Sequence, residues 1–131
     1  MPDPSSNVTF SGTDSYLRAA MSGLAARQRA IANNVANVDT PNFKATEVRF
    51  EDALKSALSR NKPGRAVDQT ALNAQLSRTS IVDTTSARAD GNNVDIEREM
   101  VQLADNTLRY ETLTQYVGGF FTGLKSVIKG Q

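Results

Sequence analysis

The sequence predicts an all-α protein in which two long terminal helices pair as an antiparallel coiled-coil hairpin, with a mobile, mostly irregular middle segment between them. Three observations carry this. A 4-3 apolar spacing runs Leu17, Met21, Leu24, Gln28, Ile31, Val35, Val38, with a polar break at Gln28. A longer one runs Ile96, Met100, Leu103, Thr107, Tyr110, Thr114, Val117, Phe121, Leu124, Ile128, with threonine at its two polar positions. Between them, residues 59–93 keep neither a helical nor a strand period.

Taken in order, residues 1–12 read as a flexible lead, with two prolines and several Ser, Thr, Asn and Gly. The N-terminal helix is expected over 13–39, with Thr13 as N-cap and Asp14 in the first turn. Alanines 19, 20, 25, 26, 30, 32 and 36 raise its propensity. Pro41 disfavours helical geometry at Thr40 and should stop it near Val38 or Asp39. Residues 40–92 read as a linker holding one short helix near 50–58, where Phe50, Leu54 and Leu58 recur four apart, with turn signals at Pro63-Gly64 and Asp90-Gly91. The C-terminal helix is expected over 93–129, its acids (Asp95, Glu97, Glu99) early and its bases (Lys125, Lys129) late, as the helix dipole favours.

The two seams differ in length, about 32 Å against about 48 Å at roughly 1.5 Å per residue. A second apolar set, Leu113, Phe120 and Val127, widens the face of the longer helix beyond what one partner helix covers. Intermolecular burial is therefore expected. Asn33, Asn34 and Asn37 fall roughly a quarter-turn from the Ile31/Val35/Val38 seam, where their amides would bond a neighbouring subunit and fix its register.

Composition excludes other classes. A net charge of +1, with Arg27, Arg29, Arg98 and Arg109 scattered singly, makes no basic face for nucleic acid. With neither cysteine nor histidine, disulfides, thiolate metal sites and the commonest acid/base group are absent. Glu97 with Glu99, and Glu51 with Asp52, are too close in sequence to share a helix face. Gly118, Gly119 and Gly123 lie late in a helix and form no phosphate loop, reading instead as close-packing or bending points. The expectation is no enzyme, no cofactor, no metal, no small-molecule substrate and no membrane span, and the N-terminus lacks the pattern of a cleaved secretory signal.

The stretch "IANNVANVDTPNFKA" (Ile31 to Ala45) resembles the N-terminal signature of bacterial flagellar rod and hook axial proteins. With "DGNNVDIEREM" and "LADNTLRYETLTQYVGGFFTGLKSVI", the chain resembles the flagellar basal-body rod proteins of the proximal FlgB type over about residues 14–55 and 90–131. The resemblance implies a structural rod subunit that polymerises through its terminal helices into a hollow axial shaft. It also implies export by the flagellar type III apparatus and a final place in the periplasmic rod of the basal body. The implied partners are other rod subunits, membrane-ring and adaptor proteins at the rod base, and the export gate. The assembly signature falls on Asn33, Asn34, Asn37, Asp39, Thr40, Pro41 and Phe43, and an export-gate element would fall on Phe50 and Leu54. Asn42 stands where glycine is common, and asparagine tolerates the left-handed turn. The alternatives are the second proximal rod type, or a secreted helical effector or export chaperone; the 33–45 signature favours the rod.

Overall fold

No proline falls between Pro4 and Pro41, and the alanine-rich sequence between them winds into one helix, α1 (Val8–Ala36). The computed structural model describes residues 8–60, 70, 74–75, 79–81 and 88–130. Along the chain follow β1 (Thr46–Val48), α2 (Phe50–Arg60), β2 (Thr79–Ile81) and α3 (Ile96–Lys129). Helix dominates, and the two terminal helices pack against each other. Their direction follows from the contacts: Asn106 of α3 reaches Leu24 and Gln28 of α1, while Leu113, further on, packs against the cluster containing Ala19. The hairpin is antiparallel.

Boundaries differ from the sequence reading in ways that local chemistry explains. α1 begins five residues ahead of Thr13, because nothing after Pro4 forbids a helix, and Asp14 instead pairs with Arg18 one turn on, at 2.8 Å. It ends at Ala36, ahead of Val38 and Asp39, and the chain then turns through 37–42. α3 starts at Ile96 and not at 93, because Asp95 is the N-cap and accepts from the Glu97 and Arg98 N–H groups at 3.1 and 3.2 Å. Gly130 closes it in the left-handed conformation (φ 68°). The expected lead over 1–7 and the Pro63-Gly64 turn lie outside the described residues.

The span read as linker contains an antiparallel two-stranded sheet. Glu47 pairs with Ser80, flanked by Thr46–Ile81 and Val48–Thr79. Three-residue strands show no period to read, so the sequence hides them. The sheet and α2 lie on α1, and the core sits between these layers: Ala19, Leu24, Ala30, Val48 and Phe50, with Leu54 and Leu113 packed on it. Phe50, the first residue of α2, lies directly on Gly23 of α1. A Cβ at Gly23 would sit inside the ring's van der Waals envelope. Gly23 therefore costs some helix propensity and gains the close approach of α2.

Gly23→Ala is expected to destabilise the isolated protein by about 1–3 kcal/mol, read from the urea midpoint, because the ring has to leave its seat. Against Phe50→Ala, which removes the ring, the same change should be close to neutral.

Candidate functional site

The asparagines that open the signature are bonded inside the chain. Asn34 is 1% exposed, and its amide donates from Nδ2 to the Thr46 carbonyl at 2.8 Å while Oδ1 accepts from the Thr46 N–H at 2.9 Å. One side chain thus makes both bonds of an antiparallel strand neighbour. Seven residues earlier, on the same face of α1, Arg27 donates from Nε and Nη2 to the Val48 carbonyl at 3.2 and 3.0 Å. Its fork also holds the Glu51 carboxylate, and its plane lies 4.7 Å from the Phe50 ring centroid. Burial raises the Glu51 pKa, but the Arg27 hydrogen bonds, the Glu51 N–H and the charges of Arg27 and Arg109 together outweigh it and hold the carboxyl below its ordinary range. Thr46 and Val48 alternate away from β2, so Arg27 and Asn34 together serve the strand edge that faces α1.

The end of α1 is closed from the far end of the chain. Asn92 is fully buried; its Nδ2 donates to the Asn37 and Thr40 carbonyls at 2.9 and 2.8 Å, and its Oδ1 accepts from the Val94 N–H at 2.7 Å. Arg88 donates to the Val38 carbonyl, and Asn93 accepts from the Ala45 N–H at 2.6 Å. The Asn37, Val38 and Thr40 carbonyls of the turn after α1 are thus satisfied by residues 50 or more positions away, while the last helix carbonyls, those of Asn33, Asn34 and Val35, accept from the Asn37 and Val38 N–H groups. Asn42 takes φ 61°, and its N–H donates to the Asp90 carbonyl at 2.9 Å; Gly91 (φ 79°) lies so close that a Cβ there would strike the Asn42 amide. The Asn92 N–H above all, with Arg88 adding to it, holds the Asp90 carboxyl below its ordinary range against the opposing effect of burial.

The sequence reading sends these amides to a neighbouring subunit. The structure differs at Asn34, whose amide is enclosed and bonded at both ends within the chain. Asn37 turns back on Asn33, donating to its carbonyl at 2.8 Å, and accepts from Thr40 at 3.2 Å. Asn33, in the last turn of α1, and Asp39, Thr40 and Pro41 of the following turn are exposed, with Phe43 half-buried. Phe50 is buried and Leu54 half-buried, both in the core.

The packing face of α3 is also rotated from the reading. Glu99 and Asn106 point at α1 and are buried, followed by half-buried Leu113 and Phe120. Ile96 (45%), Met100 (51%), Tyr110 (39%), Phe121 (51%) and Ile128 (77%) are exposed, although the seam placed them inside. Leu103, Val117 and Leu124 are shared by both lines and are half-buried, as are Leu17, Met21, Val35 and Val38 on α1; Leu24 and Ile31 are buried. The reason is polar matching. Asn106 donates to the Leu24 carbonyl at 3.1 Å and to Gln28 Oε1 at 2.6 Å, so the break at Gln28 faces a polar partner. That break was the available signal for Asn106, and nothing in the periodicity points to Asn92 or Glu99. Gly118, Gly119 and Gly123 meet no atom within 4 Å of an added Cβ, so they serve no close approach inside the described chain.

Glu99 is 4% exposed and burial raises its pKa, with the Asn34 amide and Arg98 opposing; Asp95 and Glu47 add to the rise. Its folded pKa lies above the unfolded one, so stability falls as pH rises from the ordinary carboxylate range through the folded value. Glu99→Gln is accordingly expected to raise the melting temperature at neutral pH, with the gain shrinking as pH falls into that range. Asn34→Ala should cost about 2–3 kcal/mol by stranding two backbone groups of Thr46, while exposed Asn33→Ala should stay within about 0.5 kcal/mol, both read by urea denaturation.

The family described as flagella basal body rod protein matches residues 17–44. The chain is similar to the flagellar basal body rod protein FlgB of Bacillus subtilis, at 39% identity over 92% of this chain and 96% of the relative. It is 37% identical to FlgB of Borrelia hermsii over 81% of this chain and 87% of that one. To FlgB of Salmonella typhimurium it is 33% identical, over 81% and 85%. The chain belongs to the FlgB family of flagellar basal body rod proteins.

Proposed function

We propose that this FlgB-family subunit polymerises through the outward face of its terminal helices, as part of the axial shaft of the rod. Membership makes the chain a structural component of the flagellar basal body rod and not an enzyme. The observation that carries the finer reading is the stripe Ile96, Met100, Tyr110, Phe121, Ile128 along α3, exposed for the length of the hairpin. The threonines within it, Thr107 and Thr114, donate at 2.8 Å to the Leu103 and Tyr110 carbonyls one turn back. With their hydroxyls satisfied, they present methyl groups that an interface buries without stranding a polar atom. A continuous apolar stripe of this kind in a family of rod proteins is the surface for neighbouring rod subunits.

The exposed side of the turn, Asn33, Asp39, Thr40 and Pro41, is proposed as a second contact with neighbours, while Asn34 and Asn92 shape it from within. Ring and adaptor proteins at the rod base are proposed as its partners there, and the periplasm as the compartment. Export by the type III apparatus is proposed as well. Phe50 is buried in the core and Leu54 packs on it, so a gate would read the pair on the chain before it folds.

Met100→Glu with Phe121→Glu is expected to change the stability of the isolated subunit by no more than about 0.5 kcal/mol, because both side chains are already half in water. The same pair should abolish recovery of the subunit in purified basal bodies, and motility with it. Normal incorporation would remove the stripe from the assembly interface.

A further inference from the structure

The outward stripe of α3 is divided by charge. Its first half, residues 95–111, carries five acids (Asp95, Glu97, Glu99, Asp105, Glu111) and two bases (Arg98, Arg109). The second half, residues 112–130, carries Lys125 and Lys129 and no acid. Both lysines are exposed, and among the described residues neither lies within ion-pair distance of a carboxylate. The start of α1 adds no net charge, since residues 8–20 hold only Asp14 and Arg18, paired with each other.

This half of α3 is also amphipathic. At about 100° per residue, Val117, Phe121, Leu124 and Ile128 fall within an arc of roughly 60°, and both lysines lie beyond the same edge of it. The hairpin contact falls on the opposite edge, at Leu113 and half-buried Phe120. The arc is therefore open along the side of the hairpin, with Phe121 and Ile128 51% and 77% exposed. The polar groups here ask little of water. Thr112, Thr114 and Thr122 donate to the carbonyls of Leu108, Tyr110 and Gly118 at 2.8, 2.8 and 2.9 Å, and three glycines bring no side chain at all. The clefts that α3 forms with Leu24 reach Glu111 and Tyr116 and go no further. A convex apolar face, edged by lysines and free of acids, is not cut to receive a particular side chain. It suits a fluid, negatively charged surface.

We propose that in the free subunit this half of α3 lies on an anionic lipid surface, with Phe121, Leu124 and Ile128 in the headgroup boundary and Lys125 and Lys129 on the lipid phosphates. Among the described residues no helix is long and apolar enough to cross a membrane, so the helix lies on the surface and does not span it. The lysine stems run along the apolar edge while their ammonium groups stay at the phosphates. The acid-rich first half is repelled by the same surface and stays in water. The contact goes beyond the structural-subunit reading: lipid holds, in the free subunit, a face that neighbours cover in the rod.

The chain has no tryptophan, so a single one reports from wherever it is placed. In full-length protein at low salt, Phe121→Trp should shift its emission to the blue on vesicles of equimolar phosphatidylcholine and phosphatidylglycerol, and not on phosphatidylcholine alone. Met100→Trp, at a position equally exposed but in the acidic half, should keep its emission on both. Lys125→Gln with Lys129→Gln, added to Phe121→Trp, should weaken partitioning onto the anionic vesicles about thirtyfold, with circular dichroism in solution unchanged. An equal shift on both kinds of vesicle, a shift that survives loss of the lysines, or no shift on the anionic ones overturns the lipid contact. A blue shift that grows with protein concentration in the absence of vesicles overturns it in favour of a second copy on this face. Recovery of the stripe variants in basal bodies involves no vesicle, so the lipid contact and the subunit reading can fail separately.

Discussion

The rest of the structure depends on a single side-chain amide, that of Asn34, acting as a strand. By bonding both the N–H and the carbonyl of Thr46, it fixes where the chain returns to α1 after the Pro41 turn. That placement sets Val48 under Arg27, and Arg27 in turn holds Glu51 and covers Phe50. Phe50 then has one seat, over Gly23. Two polar side chains two turns apart on one helix thus dock the sheet and α2 together. Hydrogen bonds of this kind contribute about 1 kcal/mol each when made and cost more when broken in a buried place, so the clasp acts mainly by excluding alternatives.

A second set of amides brings the chain's far half to the same place. Asn92 and Arg88 take up carbonyls of the turn that follows α1, and Asn106 meets Gln28 along the hairpin. The consequence for assembly is indirect but strong. Because α3 is held to α1 by Asn106, its more apolar line faces outward. Polar residues inside and apolar ones outside is the reverse of what a self-sufficient hairpin would choose, and it suits a protein completed by its neighbours.

Much of this was legible in the sequence. The heptads give both terminal helices, and Pro41 marks the turn that follows the first of them. The 33–45 stretch gives the family. What was hidden has physical causes. Three-residue strands carry no period. The rotation of α3 follows from hydrogen bonds to α1 carbonyls and to Gln28, which hydrophobic spacing does not register. Asn34 and Asn33 are adjacent and identical in type, yet one is enclosed and the other in water. Only the position of Thr46, fixed by the tertiary fold, separates them.

The most direct test of this account is amide hydrogen exchange at Thr46 and Ala45 in the isolated subunit. Their donors end on the side chains of Asn34 and Asn93 within the same chain. Exchange should therefore be slowed to the level of the neighbouring helix amides before any assembly takes place. Free exchange at both sites in the isolated subunit, with protection arriving only in assembled rods, would contradict it and return the asparagines to the interface between subunits.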